Sequence, residues 1–133
     1  MRFIRTRIFA VAVVVALLAG CGMSADTKTA EQAVTQFHQM LDSGQIDAIY
    51  AASSDDLKKI TTHEQFVAFL GKVHAKAGAT KSSSQRSWHL DFKTTGNIVT
   101  LGYATVFATG PAKETFVYRV HDAKAVLVGY HIE

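Results

Sequence analysis

The side chains of this 133-residue chain that could react, ligate or move protons are one thiol, six imidazoles and a few strand-borne carboxylates and phenols. The thiol, Cys21, follows Arg2, Arg5 and Arg7, an apolar run from Ile8 to Leu18, and the small pair Ala19-Gly20. Basic residues, a short apolar stretch and small residues in that order are the anatomy of a signal peptide. The run falls well short of the ~20 residues a membrane-spanning helix needs. With a single cysteine, no disulfide can form within the chain.

Imidazoles become a metal site when spacing brings them together, as two do at i and i+4 on a helix. His63 and His74 are too far apart for that, His38 lies on another helix, and His121 and His131 flank the last turn without converging. No metal site is expected. Proton transfer in a small α+β cavity needs an inward carboxylate with a phenol or acid opposite, and the strand residues available are Asp91, Tyr103, Glu114, Tyr118 and Tyr130. Asp91 alternates against Trp88, Leu90 and Phe92, so it faces water if they face the core. Glu114 stands near the Gly110-Pro111 turn, where an exposed carboxylate is expected, and strand tyrosines are ordinarily packing residues. There is no G-x-S-x-G elbow and no glycine-rich phosphate loop. Neither a catalytic residue nor a cofactor is predicted, and the domain reads as a non-enzyme.

The residues Leu18-Ala19-Gly20-Cys21 match the lipobox of bacterial lipoprotein signal peptides at all four positions. The resemblance implies a diacylglycerol on the Cys21 thiol, cleavage before it and acylation of the new amino terminus. Two or more chains anchor stably where one binds marginally. Gly22, rather than Asp, follows the cysteine, and by the same resemblance this favours the periplasmic face of an outer membrane. The expected organisation is a signal peptide at 1–20, a lipidated polar tether at 21–29 and a single domain at 30–133.

Removing the leader changes the charge. Three of the fourteen Lys and Arg residues lie before Cys21 and no acid does, leaving eleven bases against eleven acids. A phosphate-binding surface needs clustered bases, and the one adjacent pair here, Lys58-Lys59, sits beside Asp55-Asp56. Nucleic-acid binding is excluded.

These residues must be positioned by elements that the pattern also predicts. Ala30, Ala33, Val34, Phe37 and Leu41 recur at helical spacing from about Asp26 to Asp42, and Ser43-Gly44 stops the helix. Short helical pieces follow at Ile46–Tyr50 and Asp55–Ile60. Thr62 with Gln65 forms a capping box for a helix that ends at Gly78. The period then becomes two: a strand around Trp88–Phe92, then Ile98–Thr109, Glu114–His121 and Ala125–Ile132. Their connections are too short for parallel crossovers, so a four-stranded antiparallel meander is expected. The fold class is α+β, with N-terminal helices packed on a curved sheet.

The Trp88 strand, the Phe37 helix ending in Asp42-Ser43-Gly44-Gln45, and the closing Leu127-Val128-Gly129-Tyr130-His131-Ile132 resemble lipoproteins of unknown function in the nuclear transport factor 2 superfamily, the cystatin-like cone. That resemblance implies a cone whose mouth could be lined by Trp88, Tyr103, Phe107 and Tyr130. The expected function is a membrane-anchored, non-catalytic binding or interaction domain, whose contacts are the membrane through lipid on Cys21 and a protein partner or second copy on the sheet face. The alternative is a small cone enzyme or apolar-ligand-binding protein. In cells fed labelled palmitate, the wild type should carry label and Cys21→Ser should not; equal labelling would defeat the lipid assignment.

Overall fold

The computed structural model describes residues 21–133, with side chains from Ala25 onward. The expected signal peptide and the side chain of Cys21 lie outside the described residues. The order is α1 (Cys21–Asp42), α2 (Ile46–Ala51), α3 (Asp55–Ile60), α4 (His63–Ala77), then β1 (Thr80–Asp91), β2 (Asn97–Phe107), β3 (Gly110–His121) and β4 (Lys124–Ile132). The strands form one antiparallel sheet in the order β1-β2-β3-β4, an open meander as expected.

Helix α1 differs from expectation at its start. It begins at Cys21, so residues 21–29, expected as a tether, are its first turns. Asn97 at the start of β2 donates to Asp26 at 2.8 Å and fixes this end, while Ala30 is fully buried. At the other end Gly44, at φ +75°, lets Gly44 N–H reach Leu41 O and Gln45 N–H reach Met40 O, which satisfies the final carbonyls. The capping box of α4 forms as predicted, Thr62 and Gln65 each accepting the other's backbone N–H.

Burial in β2 and β3 follows period two. Val99, Leu101, Thr105 and Phe107 of β2 and Glu114, Phe116, Tyr118 and Val120 of β3 face the helices. Of these, Val99, Leu101, Phe116, Tyr118 and Val120 meet Ala30, Val34, Phe37 and Leu41 of α1, Ile49, Leu57, and Phe66 and Leu70 of α4 in one core. The β2–β3 turn is Ala108-Thr109, closed by the Phe107–Gly110 pair, so Gly110 and Pro111, expected as the turn, open β3 instead. The β3–β4 turn carries positive φ at both Asp122 and Ala123, the two-residue geometry whose twist matches the flanking strands.

The two sheet edges differ. The β4 edge is covered where Ser54 N–H donates to Leu127 O at 2.9 Å, and Arg119 reaches Asp56 of α3 at 2.7 Å. The β1 edge is open, and each residue inserted at its two register shifts, Lys81 and Arg86, is basic. Bulges and charges of this kind discourage a further strand from pairing.

A third irregularity positions a side chain. Val117 pairs with Gly129 but Tyr118 pairs with Leu127, so Val128 is an extra residue in β4. Since facing alternates along a strand, this insertion allows both Leu127 and Tyr130 to face the helices. Deleting Val128 should turn Tyr130 away from the core and cost about 3 kcal/mol through a lost buried partner and lost packing. Urea unfolding would show it; unchanged stability would refute this role for the bulge.

Candidate functional site

The polar centre of the domain is built from three elements. On α1, His38 lies four residues after Val34 and eight after Ala30, within the buried stripe, and is 6% exposed. On β3, Glu114 continues the inward phase of Phe116, Tyr118 and Val120 and is 1% exposed. On β4, the bulge directs Tyr130 toward the same point.

There both oxygens of the Glu114 carboxylate are engaged. His38 Nε2 lies 2.7 Å from Oε1, and the Tyr130 hydroxyl donates to Oε2 at 2.6 Å. Thr105, fully buried on β2, lies beside them and helps hold the carboxyl's pKa down. The Thr105 hydroxyl lies 3.0 Å from Ser83 Oγ, a hydrogen bond in which either hydroxyl can donate. A chain of polar contacts therefore crosses all four strands and ends on α1.

Apolar rings enclose it. His38 meets Phe116 edge-on at 5.7 Å between centroids and Phe107 at 6.3 Å, and Phe37 meets Phe116 at 5.0 Å. Burial by itself raises the Glu114 pKa, but the donors from His38, Thr105 and Tyr130 outweigh it and hold the carboxyl below its ordinary range. Tyr130 is pushed upward by burial and then by the adjacent carboxylate, so its hydroxyl stays a donor. Tyr103, opposite Glu114 in the ladder, is pushed up to about 12 by burial and then by Glu31 of α1.

The expectation for Glu114 is thus overturned. Proximity to a turn did not expose it, because α1 lies across the inward face of β3 at that point. Trp88 is a second correction. It pairs with Leu101 and shares its face, yet is 54% exposed, because the helical layer leaves this part of the edge strand uncovered. Of the four residues expected to line the mouth, Tyr103, Phe107 and Tyr130 join the interior and Trp88 does not. Asp91 is exposed, as expected, and Leu90 packs against the core opposite Val99, but Phe92, past the end of β1, is 65% exposed.

Three of the five remaining histidines have carboxylate partners of their own: His63 pairs with Asp47, His89 with Asp91 and His121 with Asp122. Among the described residues no cluster of three or more His, Cys, Asp and Glu could hold a metal, and no helix is long and apolar enough to cross a membrane. The sequence reading missed the pairing of His38 with Glu114, although each stood in phase with a recognised core stripe.

An open groove of about 370 Å³ lies at the β2–β3 turn, between the end of α4 and the end of β4. Val73, Ala77, Phe107, Pro111, Ala112 and Ile132 line it, with Lys76 and Glu133 as its charged residues. Phe107 contributes to the groove and also packs against His38.

Fold and site together define a helix-backed open antiparallel sheet with a sealed carboxylate at its centre. The family described as "Protein of unknown function (DUF4019)" matches residues 33–130, and the chain belongs to it. The matched segment contains His38, Glu114 and Tyr130. No curated protein matches the chain.

A carboxylate held below its ordinary pKa in the folded state stabilises above the unfolded value, about 4.3, and loses that contribution as pH falls through the lower folded value. Urea unfolding of the wild type should therefore weaken at acid pH, and Glu114→Gln should flatten that limb. At neutral pH Tyr130→Phe should cost about 1.5–3 kcal/mol, the range for a hydrogen bond to a charged group. An unchanged acid limb in Glu114→Gln would show that other carboxylates dominate.

Proposed function

We propose that this chain is an envelope lipoprotein, anchored through Cys21, whose domain is a non-catalytic module that binds an apolar ligand in the groove beside Phe107. The observation that carries the binding reading is the division between groove and polar centre. The groove is open and chiefly apolar, with one residue of each charge. The carboxylate is enclosed, its oxygens engaged by donors, with the Phe107 ring beside its His38 partner.

A general base must reach the proton it takes. Glu114, at 1% exposure and with a hydrogen bond on each oxygen, is arranged to hold elements together. Concave apolar lining with few polar groups is the usual character of a small-molecule site. Helices followed by an open antiparallel sheet accord with the nuclear transport factor 2 superfamily, whose function resides in particular sites rather than in the fold. The lipobox supports the anchored setting.

Anilinonaphthalene sulfonate, an apolar fluorescent probe, should bind the wild type and brighten. Ala112→Trp fills the groove and should lose most of that signal while urea unfolding stays unaltered. A wild type that does not bind the probe, or a stable A112W that binds it equally, would overturn the groove as the site.

A further inference from the structure

Helix α1 is pinned at both ends, and this orients the groove relative to Cys21. Asp26 is held by Asn97, where β2 begins, and Asp42 accepts from the Thr80 N–H and hydroxyl at 3.0 and 3.1 Å, where β1 begins. Thr80 in turn pairs with Phe107 at the end of β2. The helix therefore runs alongside β2 and in the same direction. Its Cys21 end lies by the β1–β2 turn, and its Asp42 end lies by the groove. Asp42 lies sixteen residues on from Asp26 along the helix, a rise of roughly 24 Å at ~1.5 Å per residue.

At the Cys21 end, Phe92 lies just past β1 and is 65% exposed, beside exposed Lys93. The β3–β4 turn with Lys124 is at the same end, since Val120 pairs with Asn97. Of the acids toward this end, Asp26 bonds Asn97, Asp56 bridges to Arg119, Asp91 faces His89 and Asp122 faces His121, while Asp55 stands exposed beside Asp56 at the start of α3. An exposed aromatic ring next to a lysine suits the boundary between headgroups and acyl chains, where rings bury and ammonium groups stay among phosphates.

We propose that the β1–β2 end of the domain, led by Phe92 and Lys93, seats on the bilayer that holds the Cys21 lipid, and that the groove points away from it. This orientation rests on anchoring through Cys21. Because α1 is helical from Cys21 and Asp26 is already fastened to the sheet, the chain between lipid and domain is too short to let the domain turn over. The groove then opens toward the aqueous compartment, so its ligand or partner approaches from there and not from the anchoring membrane.

Trp88 is the single tryptophan of the chain and can be moved. The full chain, processed in cells and reconstituted into vesicles of phosphatidylethanolamine and phosphatidylglycerol with brominated acyl chains, would carry W88F with either F92W or K81W. Lys81 is exposed at the groove end of β1. Bromine should quench W88F/F92W several-fold more than W88F/K81W. Protein labelled by palmitate at Cys21 but quenched equally in both, or more in K81W, would overturn the orientation alone. Protein that takes no label would overturn the anchoring, and the orientation with it.

Discussion

The fold depends on one buried carboxylate. Glu114 comes from an interior strand of the sheet, its hydrogen-bond partners come from α1 and β4, and Thr105 of β2 lies beside them, so elements distant in sequence are held to a single point. An ionised group without partners in an apolar interior would be costly by several kcal/mol. Every donor must therefore arrive together. This makes the helix position, the ladder register and the bulge at Val128 conditions of one another. Removing any one leaves polar atoms buried without partners, which costs more than the bond itself returns.

The same constraint divides the interior into parts with different properties. Around Glu114 the rings of Phe37, Phe107 and Phe116 exclude water and keep the hydrogen bonds strong. Beyond Phe107 the packing opens, because α4 ends at Ala77, capped by Gly78, and the β2–β3 hairpin extends past it. Gly78 sits at φ +75°, and a Cβ there would approach the Ala108 Cβ to 2.9 Å, so helix end and hairpin touch through a glycine. The groove is the space left between these two elements.

Much of the fold was legible in the sequence because burial follows local periodicity. The stripe Ala30, Val34, Phe37, Leu41, the Thr62–Gln65 capping box and the alternation Phe116, Tyr118, Val120 are each satisfied within a few residues. The same periodicity also contained the polar centre, since His38 and Glu114 stand in phase with those stripes. It was obscured by treating a polar residue near a turn as exposed, although phase outranks distance from a turn when a helix covers the strand. The failure at Trp88 is the converse. Alternation placed it on the correct face, but facing the helical layer differs from being covered by it.

By itself the sequence determined the elements, their order, the antiparallel connection and the near-neutral charge of the chain after Cys21, because these follow from spacing and composition. It also placed the thiol after a short apolar run, a feature of primary structure alone. Only the tertiary structure decided that His38, Thr105, Glu114 and Tyr130 meet, that Trp88 stays exposed on an open edge, and that the groove lies at the end of α1 away from Cys21. Those outcomes depend on which residues face one another across the sheet and on one inserted residue in β4. A bulge is a mismatch between two strands, so neither strand's own pattern specifies it.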